Sequence, residues 1–202
     1  MKILIVGGNS ALAKTLIPVL SKFNDISTAG RSDCNFHIDL ADPIENIKIP
    51  SGTDVVINAA ASFSGDNFEQ IYNTETINAL GAIKLCNACS KAKVKHLVLI
   101  SSIFVHLNKN SPQFSIYALS KKHSDELAQL YSKTYELPLT ILRPSQFYGS
   151  GPEQLKHQPF LSTIISKISN SEEIILYGSN DAKRNFLHVE DLAHIISLVI
   201  SN

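Results

Sequence analysis

Lys2-Ile3-Leu4-Ile5-Val6-Gly7-Gly8-Asn9-Ser10-Ala11-Leu12-Ala13 decides the fold. Lys2–Val6 is an almost unbroken apolar run and reads as a buried strand. Two glycines follow, and from Ser10 to Lys22 the pattern is that of a helix. Glycine lets the backbone turn tightly and approach a pyrophosphate, which then rests against the N-terminus of the helix. The motif is short, and it gains weight from its context of a strand before and a helix after. Gly7, Asn9, Ser10, Ala11 and Leu12 are therefore candidate cofactor-binding residues.

Working outward, short runs rich in Val and Ile alternate with longer segments of helical period. Further strands are predicted at Asp25–Ala29, Asn35–His37, Thr53–Ala60, His96–Ser101 and Leu139–Leu142. Helices are predicted over about Asp66–Lys91 and over Ile116–Tyr135. Uninterrupted apolar strands between helices imply a parallel sheet covered on both faces, and right-handed crossovers make it doubly wound. Pro144, Gly149, Gly151 and Pro152 break this rhythm. Beyond them come a helical stretch near Phe160–Ser169, a short run Ile174–Tyr177 and a last helix from Val189. We expect an α/β domain over residues 1–148, followed by a small substrate lobe over 149–202.

Composition narrows the function. The chain has 202 residues, 44% apolar and 18% charged, with Lys plus Arg and Asp plus Glu both totalling 18. Such a balance is globular and gives no general electrostatic grip on nucleic acid or anionic lipid. No apolar run reaches membrane-spanning length, and the N-terminus lacks the layout of a signal peptide. We expect a cytoplasmic protein. Cys86 and Cys89 form a lone C-x-x-C inside a predicted helix, without the further ligands that zinc needs. The structural reading is preferred for them, and no metal is expected.

Two further motifs carry chemistry. Tyr117-Ala118-Leu119-Ser120-Lys121 places a phenol and an ammonium on one helical face. The cation is expected to lower the phenol's pKa, so that Tyr117 can serve as a general acid or base. Ser101-Ser102 follows a strand at its carboxyl end, where ligands bind in such sheets. With six tyrosines and fifteen lysines, a chance Y-x-x-x-K is common. The order of the three motifs along one chain is what chance does not readily supply.

Several stretches together resemble the extended short-chain dehydrogenase/reductase family, which includes nucleotide-sugar epimerases, dehydratases and reductases. DVVINAAA at 54–61 resembles the family's strand beneath the cofactor. Asn78-Ala79-Leu80-Gly81 resembles its N-x-x-G stretch, and LVLISSIFV at 97–105 its serine strand. Leu142-Arg143-Pro144 with Tyr148-Gly149, and RNFLHVEDLA at 184–193, resemble its later segments. The resemblance implies a Rossmann fold binding NAD or NADP. It implies Ser102, Tyr117, Lys121 and Asn78 as catalytic residues, with Lys121 also holding the nicotinamide ribose. Arg31, Ser32, Asp39, Leu40, Ala59, Ala60 and Ala61 join the cofactor contacts, and Ser102 and Arg184 the substrate contacts, Arg184 facing a phosphate. Asp39 could instead cap a helix before Pro43, and Arg143, held extended before a proline, reads as structural. The chain departs from the pattern in four places. Ser10 and Ala13 replace the second and third glycines of G-x-x-G-x-x-G. His106-Leu107 stands for Tyr-Gly, the loop from Ser102 to Tyr117 is short, and typical relatives continue further past HVEDLA. A compact or truncated member is expected.

The leading expectation is an NAD(P)-dependent oxidoreductase or epimerase acting on a nucleotide sugar. The alternatives are an NADP-dependent reductase of a small non-sugar carbonyl and a catalytically silent cofactor-binding regulator. NADP is expected to be preferred. The residue after strand 2 is Gly30, which offers no carboxylate against a 2′-phosphate, and Arg31 can grip one. A 4,6-dehydratase is not expected, because Ile103 and Phe104 follow Ser102 where the family's dehydratases carry an Asp-Glu pair. By analogy, a homodimer is a further expectation.

Overall fold

A computed structural model describes residues 1–149, 158–175 and 184–201. Six strands form one parallel sheet in the order β3-β2-β1-β4-β5-β6. They are β1 (Lys2–Val6), β2 (Asp25–Gly30), β3 (Phe36–His37), β4 (Val55–Asn58), β5 (His96–Ile100) and β6 (Leu139–Leu142). The order reverses at β1, so the chain winds outward in both directions from its first strand. This is the expected doubly wound Rossmann architecture.

Alternation along the strands divides the core in two. Ile3 and Ile5 of β1, Val55 and Ile57 of β4, and Val98 and Ile100 of β5 face one side. There they meet Leu12, Ala13, Leu16 and Leu20 of α1 (Ala11–Leu20). Leu4, Val6, Val56, Leu97 and Leu99 face the other side and meet α3 (Gly81–Lys91) and α4 (Ile116–Tyr135) through Leu85, Cys86, Cys89 and Ala128. Cys86 and Cys89 are wholly buried, and burial pushes the Cys86 thiol up to about 12 and the Cys89 thiol higher still. They behave as small apolar core residues.

The long helix expected from Asp66 is interrupted. Asn67 caps α2 (Phe68–Glu75) by accepting from the Gln70 N–H, and a π turn over Thr76–Leu80 joins it to α3. Gly81 follows the turn because a Cβ there would stand 2.8 Å from Cβ of Leu40. The helix therefore passes close against the loop after β3.

The C-terminal part contains α5 (Pro159–Ser169), β8 (Phe186–His188) and α6 (Val189–Ser201). β8 pairs in parallel with β7 (Gln146–Tyr148) in a separate two-stranded sheet. Gly151, Pro152 and Tyr177 lie outside the described residues. Val189, Leu192, Ala193, Ile196 and Ile200 of α6 join the cluster that α1 forms with the sheet. Part of the expected C-terminal lobe thus enters the core on one face of the six-stranded sheet. Ile196 is wholly buried there, and Ile196→Ala is expected to cost roughly 2–5 kcal/mol of stability. Urea unfolding followed by circular dichroism should remain one transition. A separate early transition for the last helix would show that it does not share this core.

Candidate active site

The carboxyl ends of the parallel strands open on one edge of the sheet, around a cavity of about 850 Å³. Gly7 turns the chain at its base with φ +83°, and a Cβ there would stand 2.6 Å from the Ala60 backbone nitrogen. Only glycine lets the turn pass this close to the exit of β4. The Gly7 and Gly8 amides both donate to the Ala29 carbonyl, at 2.8 and 3.1 Å. Ser10 stands where the family motif has glycine, and its role is to cap α1: its Oγ accepts from the Ala13 N–H at 3.1 Å. Gly7, Asn9, Ser10, Ala11 and Leu12 all line the cavity.

The next wall comes from the loops after β2 and β3. Arg31 and Ser32 line it, and Asn9 Nδ2 donates to the Ser32 carbonyl at 2.7 Å, tying the glycine turn to this loop. Asp39 and Leu40 line it too. Asp39 Oδ1 accepts from the Ala41 N–H at 2.9 Å, a local turn, whereas the short 3₁₀ helix Ile44–Asn46 starts at Pro43 with no side-chain cap. The alternative of Asp39 as a helix cap is thereby corrected: its hydrogen bond is made within the turn. Ala59, Ala60 and Ala61 supply the small-residue floor beyond β4.

Ser102, Tyr117 and Lys121 meet at the opposite end of the same cavity. Ser102 Oγ accepts from the Phe104 N–H at 3.2 Å and caps a 3₁₀ turn over Ile103–His106. The Tyr117 ring stacks on Phe63 at 4.7 Å between centroids and meets Phe104 edge-on at 6.4 Å. Withdrawal from water raises the phenol above its ordinary value, the Ser102 hydrogen bond opposes this, and Asp125 adds to it. The expected lowering by Lys121 is not found. Lys121 Nζ instead donates to the Ile100 carbonyl at 2.8 Å, and burial pushes its ammonium down to about 8 against the pull of Asp125.

Asn78 is not brought to the cavity. Its Nδ2 donates to the Ser62 carbonyl and to Ser120 Oγ, both at 2.9 Å, and its Oδ1 accepts from the Ser62 N–H at 2.8 Å. All these bonds fasten the loop after β4 to α4, so Asn78 positions the wall that carries Tyr117. Arg184 is exposed and stands over the Phe160 ring at 5.7 Å, outside the cavity lining. Read from sequence, Phe63 has no role, Phe104 is only a residue that cannot transfer protons, and Asp125 is a carboxylate too far along the chain to reach the reacting carbon. Only Asp125 left a signal there, since it continues the four-residue spacing of Tyr117 and Lys121.

The residues present fit a nicotinamide dinucleotide. A glycine cradle that a Cβ would fill lies at one end. At the other, Ser101 lines the cavity, and its buried Oγ has no hydrogen-bond partner among the described residues. Comparison with known proteins agrees. Residues 3–202 match the model of the NAD dependent epimerase/dehydratase family. The chain belongs to this family. It is 26% identical over 178 residues to a dTDP-D-glucose 4,6-dehydratase of Dictyostelium discoideum, covering 78% of this chain and 40% of that protein. It is 26% identical over 216 residues to a putative UDP-glucose 4-epimerase of Methanocaldococcus jannaschii, covering 95% and 70%. Its fold is that of UDP-N-acetylglucosamine 4-epimerase from Bacillus cereus, with a TM-score of 0.80, 20% identity and coverage of 100% and 72%. The chain thus spans less than half of the first relative and somewhat over two thirds of the second. Among its described residues, no helix of this epimerase/dehydratase family member is long and apolar enough to cross a membrane.

The Asn78 bonds give a direct test of positioning against chemistry. Asn78→Ala leaves the Ser62 N–H and carbonyl without their partner, and should lower unfolding stability by about 1–3 kcal/mol. The measurement is urea denaturation with and without NADP. Unchanged stability with lost turnover would return Asn78 to the chemistry.

Proposed function

We propose that this chain is an NAD(P)-dependent oxidoreductase or epimerase acting on a nucleotide sugar, with Tyr117 as the acid/base. The observation that carries the reading is the convergence of Ser102, Tyr117 and Lys121 on one cavity whose other end is the Gly7 turn. A bound nicotinamide dinucleotide would supply the redox chemistry at the sugar carbon. The protein's part is binding and proton handling. The Gly7–Leu12 segment receives the diphosphate at the start of α1, and Asp39 and Leu40 flank the adenine. Ser102 hydrogen-bonds the reacting oxygen.

Tyr117 rests as a neutral phenol, since burial raises it, so it meets a substrate carbonyl as a proton donor. Lys121 is charged below about 8, and its approach to the ribose and the phenol eases the reverse proton transfer. We assign Arg184 to the diphosphate of the sugar nucleotide. It stands over the ring of Phe160, which lies two residues from Gln158 at the cavity wall. The stretch after Gly149 would then hold the sugar.

A 4,6-elimination is disfavoured, although dehydratases stand among the relatives. It needs an extra acid and base beside the catalytic hydroxyls. Phe104 occupies the cavity wall there, and Ile103 is exposed. For the cofactor, the loop after β2 supports NADP, because Gly30 stands at the position of the usual carboxylate and Arg31 offers a guanidinium, a preference that Asp33, next in the loop, softens.

Tyr117→Phe should reduce turnover by about 10²–10⁴-fold and leave cofactor affinity unchanged. The assay is product analysis by mass spectrometry over a panel of UDP- and dTDP-sugars with each dinucleotide. Near-normal turnover in the variant would remove the assignment. In a fluorescence titration NADP should bind more tightly than NAD. Arg31→Ala should erase roughly ten- to a hundredfold of NADP affinity, the worth of hydrogen bonds to a charged group. Equal affinities for the two cofactors in the unaltered protein would refute the preference.

A further inference from the structure

Tyr117, Lys121 and Asp125 stand at i, i+4 and i+8 on α4, so they share one face of the helix. All three turn toward the end of β5 and β6, where Lys121 Nζ reaches the Ile100 carbonyl at 2.8 Å. Asp125 is 3% exposed, Lys121 5%. Two opposite charges one helical turn apart are therefore both withdrawn from water.

Asp125 is held from the solvent side. Arg143 follows β6 and donates through Nε to Asp125 Oδ2 at 2.7 Å. The Arg143 side chain is 33% exposed, that of Asp125 5%. The second oxygen, Oδ1, is buried with no hydrogen-bond partner among the described residues. Leaving a carboxylate oxygen this way is costly unless a charge nearby offsets it, and the next polar group on this face of α4 is the Lys121 ammonium.

Other charged groups around α4 are engaged elsewhere. Glu75, at the end of α2, pairs with His123 of α4 at 2.5 Å. Lys84 of α3 donates to the Asp42 carbonyl at 2.7 Å. Glu69 of α2, Lys91 of α3, and Lys122, Glu126, Lys133 and Glu136 on and after α4 lie at positions exposed or facing away from this face, as does His106 beyond β5.

We infer that Asp125 is a positioning residue for the active site. Clamped by Arg143 one helical turn from Lys121, it holds in charged form the ammonium that the Ile100 carbonyl aims at the end of β5. Its field opposes the burial that otherwise drives the lysine toward its neutral form. The same carboxylate discourages ionisation of Tyr117. One buried charge therefore sets both partners in the same sense, lysine protonated and phenol protonated. This rests on the reading of Lys121 and Tyr117 as the reacting pair, but the test does not need turnover.

The experiment is an NMR titration of the free protein labelled with ¹³Cε-lysine, with the Lys121 signal assigned from Lys121→Met. Asp125→Asn should move the Lys121 midpoint to lower pH by about one unit or more, tenfold in the neutral fraction at fixed pH. Asp125→Glu should largely restore it. Arg143→Gln, which frees the carboxylate toward the lysine, should move the midpoint upward. Should either single variant fail to fold, the double variant Asp125→Asn/Arg143→Gln removes both members of that ion pair together, and its Lys121 midpoint must still fall. A midpoint unmoved in folded Asp125→Asn or in the double variant overturns the proposal. A normal titration shift with no sugar turnover in the unaltered protein would instead count against the nucleotide-sugar reading alone.

Discussion

The close crossing of two strand ends, Gly7 over Ala60, is the constraint on which the rest depends. β1 pairs with β2 so that Val6 lies beside Ala29, and with β4 so that Val6 lies beside Asn58. With both neighbours in register, the chain leaving β1 has one way out, a turn of positive φ pressed against the backbone beyond β4. The turn brings α1 back across Ile3 and Ile5, and the same closeness leaves a channel lined by main chain above it. A side chain at Gly7 would force β1 and β4 apart and thereby disturb the packing of α1 and the cradle together.

Chemistry is placed at the other half of the sheet by similar means. Parallel pairing sets Ile100 beside Leu142, so the residues just beyond, Ser101, Ser102 and Arg143, emerge at one level. α4 crosses them with a single face. Its start is fixed by Ser115, whose side chain accepts from the Ala118 N–H, and its middle by Asn78 through Ser120. The position of the Tyr117 phenol is therefore set by hydrogen bonds made outside the cavity, and its acidity by burial first, with the Ser102 hydrogen bond opposing and the Asp125 carboxylate adding to it.

Much of this was legible in the sequence because it rests on local pattern. β1, α4 and β6 fall where the apolar runs and the helical period place them, and the glycine turn sits between its strand and helix. What was not legible depends on partners distant in sequence. β7 and β8 are three residues each and exist through each other, so neither carries a recognisable run. Asn78 looks like a catalytic residue from its stretch alone, whereas its direction is decided by a π turn that no periodicity announces. The pull of Lys121 toward the Ile100 carbonyl, and away from lowering the phenol, likewise depends on where β5 ends. The Ser10 substitution reads as a loss by comparison with a glycine motif, and only the cap geometry turns it into a gain.

The π turn at Thr76–Leu80 also binds the length of this segment to its packing. Each residue of a helix advances the side chains by about 100°, and a π turn holds one residue more than an α turn would. Winding the same residues as one regular α-helix, with none removed, would fuse α2 and α3 and leave the extra residue no place. Every side chain beyond would then rotate by that angle, swinging Leu85, Cys86 and Cys89 out of the core and carrying polar neighbours in. Among family members, loss of one residue here could be absorbed by closing the π turn to an α turn, which leaves the buried face of α3 in phase, whereas a length change within α3 itself would have to be answered by rewriting that face.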